Sequence, residues 1–166
     1  MSHDGRAVAN FVLDQCEAQG VPVSHLALQK LVYFCHVWSL IHLGKPLIRH
    51  SFEAWEHGPV LQYLYREFQR FGSESIRGRA QRMNPNNGQK QLVSYAFDQA
   101  TKELLTKVVA IYGRLSASTL RELSHAPGGP WDRVWNHGGK INPGMRIKNE
   151  DIVRFYSRMR WPARVQ

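Results

Sequence analysis

From Ser24 to about Leu43 the chain has helical periodicity and is apolar on nearly every side. Leu28, Leu31, Val32, Cys35 and Ser39 form one face, and Phe34, Val37, Trp38 and Ile41 fill the next. A helix with so little polar surface is stable only when other elements surround it, so this one is expected at the centre of the fold. Ser24 is placed to cap it, and Gly44 with Pro46 ends it. His36, Ser39 and His42 interrupt the run, which falls short of the roughly 18 apolar residues of a membrane span. No membrane association is expected.

The other elements are shorter. Val8, Phe11, Val12 and Cys16 recur at helical spacing ahead of Gly20 and Pro22. Ser51 to Trp55 alternates as a strand does. His57-Gly58-Pro59-Val60 reads as a sharp strand-to-helix turn, with Pro59 at the first helical position. The helix behind it carries Leu61, Leu64, Tyr65, Phe68 and Phe71 on one stripe and closes at Gly72. Residues 73–91 are polar and basic, with Asn84-Pro85-Asn86-Asn87-Gly88 as a loop or hairpin tip, and Leu92 to Phe97 is expected to pack as a strand beside the first.

Asp98 caps a helix through Tyr112, and Ser116 or Ser118 starts another through Leu120 and Leu123. Pro127 to Pro130 breaks that helix before a short turn from Trp131 to Trp135. Asn149 is expected to cap the last helix, with Ile152, Val153, Tyr156 and Met159 facing inward. Together these predict one domain over residues 1–166 (core about 8–156), mainly α with a minor β element: a compact helical bundle with a small antiparallel sheet. Leu31, Phe34, Trp38, Trp55, Leu64, Phe68, Leu105, Val108, Leu123, Trp131 and Ile152 should be largely buried.

The formal charge is +9, and the basic residues gather in two zones. One holds Arg66, Arg70, Arg77, Arg79, Arg82 and Lys90; the other holds Arg146, Lys148, Arg154, Arg158, Arg160 and Arg164. Such fields attract nucleic acid, acidic membranes or acidic proteins without selecting among them. A basic nucleic-acid-binding or phage-associated regulatory protein is therefore an alternative, with Tyr95 or Trp161 as stacking platforms. Against it, no helix-turn-helix with a polar recognition helix is visible.

Catalytic readings are weaker. Cys35, His36 and His42 have the wrong spacing for shared metal ligation on a helix. Glu53, Glu56 and His57 are close in sequence but are explained by a polar rim, and Ser124 beside His125 lacks an acidic orienter. No enzyme activity, metal or cofactor is expected. Cys16 and Cys35 read as reduced, buried thiols; with no basic-then-apolar leader at the N-terminus, a cytoplasmic location is expected.

Three ordered motifs carry a resemblance. Leu28-Gln29-Lys30-Leu31-Val32-Tyr33-Phe34 leads to Trp38 and Gly44-Lys45-Pro46-Leu47. Phe52-Glu53-Ala54-Trp55-Glu56-His57-Gly58-Pro59-Val60 is followed by Tyr65-Arg66-Glu67-Phe68. Leu120-Arg121-Glu122-Leu123-Ser124-His125 precedes Pro130-Trp131. The set resembles the Panacea antitoxin domain family, which includes SocA-like antitoxins and phage-associated GepA-like proteins. The match runs from about Val8 to Tyr156. Ser124 stands where many relatives have threonine, and His57 where an aromatic is common.

The resemblance implies an antitoxin that neutralises a cognate toxin, usually encoded by the adjacent gene, through direct protein contact. It implies that Trp38, Trp55, His57, Gly58, Pro59, Phe68, Ser124, His125, Pro130 and Trp131 are chiefly scaffold. Arg77, Arg79, Arg82, Tyr65 and Arg66 are the expected partner-binding residues, the chain acting as a monomer or homodimer.

Overall fold

The computed structural model describes residues 2–137 and 145–159. At its centre runs α2 (His25–His42), capped by the Ser24 hydroxyl, which accepts from the Ala27 amide. Every residue from Leu28 to Ser39 is buried, as a helix without a polar face requires. Around it lie α1 (Gly5–Ala18), α3 (Gln62–Phe68, prolonged by a 3-10 turn at Gln69–Phe71), α4 (Gln99–Tyr112), α5 (Ala117–Ser124) and α7 (Asn149–Tyr156). The sixth helix, α6 (Pro130–Trp135), packs against the sheet and α7.

Asp4, Asp98 and Ser116 cap α1, α4 and α5 with side-chain oxygens. Among the described residues, one hydrophobic cluster draws buried residues from each of α1 to α7. In it Trp38 Nε1 donates to Tyr112 Oη at 2.9 Å, and Phe34 stacks on Tyr112 with centroids 4.5 Å apart. The mainly helical fold with minor antiparallel β structure is as the sequence predicts.

Among the described residues the strands form two separate sheets. In the first, β1 (Glu53–Trp55) lies between β2 (Gly58–Val60) and β5 (Met145–Arg146), antiparallel to both. The second is a ribbon of β3 (Gln81–Met83) and β4 (Lys90–Leu92), joined through the Asn84–Gly88 turn.

Several expectations are corrected here. Gly58 and Pro59 are strand residues in a hairpin, not a strand-to-helix turn, and α3 begins only at Gln62. Pro59 pairs with Ala54 on an edge strand, where a missing N–H costs no ladder bond to a further strand. Glu56 and His57 form the two-residue loop; no described non-glycine residue has positive φ, so the left-handed conformation falls on Gly58, at φ 116°. The segment from Leu92 does not pair with β1: only Leu92 is in a strand, and its partner there is Gln81. Asn149 does not cap α7; Lys148 is the cap residue and makes no side-chain cap bond, while Asn149 Oδ1 meets His36 Nε2 at 2.9 Å.

Of the expected core, Leu31, Phe34, Trp38, Leu64, Phe68, Leu105, Val108, Trp131 and Ile152 are buried. Trp55 and Leu123 are half-buried, Leu123 packing against the edge of the core. Val153 and Met159 are exposed, whereas Ile152 and Tyr156 alone turn the α7 stripe inward. Both cysteines are free and buried.

Candidate functional site

The three sequence motifs meet at the β1–β2 hairpin. Gln29 and Lys30 are consecutive on α2, and both side chains are buried against that hairpin's outgoing strand. The Gln29 amide clasps Leu61, the residue between β2 and α3: its Nε2 donates to Leu61 O at 3.2 Å, and its Oε1 accepts from Leu61 N at 3.0 Å. Lys30 Nζ donates to Pro59 O at 3.1 Å. Two polar side chains of the central helix thus bond backbone groups on the outgoing side of the hairpin, at Pro59 on β2 and at Leu61 just beyond it.

Gly58 lies over the same spot. A Cβ there would sit 2.7 Å from Lys30 Cε, 2.9 Å from Ser124 Oγ and 3.2 Å from His125 Nε2, so only glycine fits, by space and by φ. His125, at the C-cap of α5, stacks on Trp131 of α6 with centroids 3.7 Å apart and planes at 14°. Trp131 Nε1 in turn donates to Trp55 O at 2.7 Å. Pro130 is the first residue of α6, where its missing N–H is harmless. The hairpin is therefore gripped from α2, α5 and α6 at once.

Burial sets the electrostatics. Lys30 is only 2% exposed, and desolvation, reinforced by the Arg121 charge, lowers its pKa to about 7. The His125 pKa falls to about 4, through desolvation first and then the Arg121 charge, although a hydrogen bond to the His57 backbone opposes the shift. Nε2 of His125 is buried and has no hydrogen-bond partner among the described residues. The Ser124 hydroxyl donates to Arg121 O on its own helix, so it is tied to backbone.

His57 and Glu56 are exposed at the hairpin tip, and Glu53 accepts from Trp55 Nε1. Among the described residues no group of three or more His, Cys, Asp or Glu is placed to hold a metal ion. Nor is any described helix long and apolar enough to cross a membrane.

The residues expected to meet a partner are dispersed. Tyr65 is half-buried between Trp55 and His25, with centroids at 5.1 and 5.3 Å. Arg66 is exposed at a hollow of about 370 Å³ that Arg49 and Arg146 also line. Arg77 is open to solvent, 3.7 Å from Glu74, and Arg82 is exposed on β3. Arg79 differs from the expectation of an exposed contact residue. Its side chain is 19% exposed and paired with both Asp14 and Glu17, so it ties the ribbon's base to α1. Arg160, Trp161 and Arg164 lie outside the described residues.

Sequence reasoning gave no separate role to Gln29, Lys30 or Asn10. The available signal was a polar residue within a largely apolar stretch of helix. Asn10 shows what such a residue does: 3% exposed, it donates from Nδ2 to Ala80 O at 3.1 Å and Val93 O at 2.9 Å and accepts from Ala80 N at 2.7 Å.

Residues 28–132, from the start of the Gln29-Lys30 motif to just past Trp131, match the model of the family described as Antitoxin SocA-like, Panacea domain. The chain is 44% identical over 152 residues to Antitoxin SocA of Caulobacter vibrioides (strain NA1000 / CB15N), an alignment covering 91% of this chain and 81% of that protein. No solved structure matches it. The family match spans the elements that grip the hairpin, and the likeness to the relative extends over nearly the whole chain: the protein belongs to the SocA-like antitoxins of the Panacea domain family.

Proposed function

We propose that this protein is the antitoxin of a toxin–antitoxin pair and neutralises its toxin by direct, non-catalytic binding, the toxin being encoded by the adjacent gene. The observation that carries this reading is the 44% identity to Antitoxin SocA over 91% of the chain. The geometry supports it: the motif residues Lys30, Gly58, His125 and Trp131 hold a hairpin together from inside, which is scaffold work. The partner is then left to read the surface, where Arg66, Arg77 and Arg82 offer unburied positive charge. Surface arginines steer an acidic partner and fix its orientation more than they add affinity. We place the protein in the cytoplasm, as a single unit that is monomeric or dimeric.

The test is growth. Cells expressing the neighbouring gene alone should stop growing, and co-expression of this protein should restore growth. A harmless neighbour, or one still toxic when this protein is present at equal or higher level, overturns the assignment.

A further inference from the structure

The β3–β4 ribbon is an unusual object on this surface. All six strand residues are exposed, on both faces, so the ribbon buries nothing along its strands. A two-stranded ribbon without a hydrophobic face is marginal by itself, and an open strand edge invites pairing. Here the base supplies the order. Asn10 bridges the backbone of Ala80 and Val93, whose side chains are buried, and Arg79 is locked to Asp14 and Glu17. The arm is thus rooted firmly in α1 and projects from it.

Its chemistry is equally particular. Register pairs Gln81 with Leu92 and Met83 with Lys90, which puts all four side chains on one face and Arg82 with Gln91 on the other. Met83 is 63% exposed and Leu92 59%, the two most exposed large apolar side chains described. From Ile76 to Phe97 the sequence holds Arg77, Arg79, Arg82 and Lys90 and no acidic residue. The inward bonds Val93 N to Ala80 O and Asn84 N to Gln89 O fix the alternation, so Gln81, Met83, Lys90 and Leu92 turn their backbone groups outward. On β3 the Gln81 amide is taken by Glu67 Oε1. On β4 the outward groups of Lys90 and Leu92 bond no other described residue.

We propose that this ribbon is the arm that grips the toxin: an extended, acidic segment of the toxin adds as a strand along the open edge of β4, and its surface receives Met83 and Leu92. Main-chain pairing supplies affinity, and the two apolar side chains with the Arg82 and Lys90 charges supply selectivity. This rests on the antitoxin reading and names its contact surface.

The test uses the intact protein and the purified product of the adjacent gene. The double variant M83E/L92E changes only exposed positions, so it should keep the wild-type melting temperature. It should weaken the complex at least about 30-fold. The control Lys107→Glu, on the exposed side of α4, should leave affinity within about twofold. Hydrogen exchange should show the Lys90 and Leu92 amides protected in the wild-type complex. Wild-type affinity in M83E/L92E, or unprotected Lys90 and Leu92 amides in a complex that forms, overturns the arm and leaves the antitoxin reading standing. Failure of the wild-type protein to bind the neighbour overturns both.

Discussion

Lys30 Nζ, buried beneath the β1–β2 hairpin, donates to the carbonyl of Pro59 at 3.1 Å, joining the central helix to the edge strand that leads into α3. A desolvated ammonium with one backbone acceptor here is held at a pKa of about 7.

That has a defined consequence for stability. The unfolded chain keeps Lys30 protonated up to the ordinary lysine range near 10.4, whereas the folded chain releases the proton above about 7. Between those values the unfolded state binds more protons, so this group's contribution to stability rises with pH. Urea unfolding at pH 7.5, 8.5 and 9.5 should show that rise. Lys30→Met should flatten it, and an unchanged slope in the variant counts against the buried ammonium.

His125 acts lower on the scale. Its folded pKa of about 4 lies below the ordinary 6.5, so stability is full above 6.5 and is lost as pH falls toward 4. His125→Gln should reduce the loss measured between pH 6.5 and 4.5. It should not abolish it, since burial also lowers the pKa of His25 and His36. A variant with the wild-type acid profile would show that the stacked ring stays accessible to protons.

Gly58→Ala should destabilise the fold by about 2–4 kcal/mol, combining a left-handed φ with crowding against Lys30, Ser124 and His125. Trp131→Ala, at a buried site with a hydrogen bond to Trp55 O, should cost about 3–5 kcal/mol. Both are read from chemical denaturation midpoints. Losses under about 1 kcal/mol would show that the hairpin is not held as described.

Asn10→Ala removes three hydrogen bonds at the base of the ribbon and leaves buried backbone groups of Ala80 and Val93 unpaired. The expected cost is about 2–3 kcal/mol, with faster amide exchange from Gln81 to Val93 than elsewhere in the chain. Uniformly faster exchange would contradict a locally anchored arm.

How much of this was legible in the sequence follows from which interactions are local. The central helix with its Ser24 cap and the Asp98 cap were readable because periodicity and capping act within a few residues, whereas the start of α5 was narrowed only to Ser116 or Ser118, of which Ser116 is the cap. Pro59 was misread because proline suits both a helix start and an edge strand. What decides between them is pairing with Ala54, made possible by a glycine at φ 116°. Asn149 was misread for a similar reason: the cap preference is local, and contact with His36 across the fold outcompetes it. Arg79 counted as surface charge because its partners, Asp14 and Glu17, are more than sixty residues away. The convergence of Lys30, Gly58, His125 and Trp131 is long-range throughout and had no signature beyond the order of the motifs.

The central claim is direct neutralisation, and titrating the purified product of the adjacent gene with this protein tests it most directly. Calorimetry should give saturable binding with a dissociation constant below about 1 μM, a typical range for specific complexes of this kind. Toxicity should disappear in proportion to the complex formed. Absence of binding at concentrations that rescue growth, or binding that leaves the toxin fully active, would contradict the account.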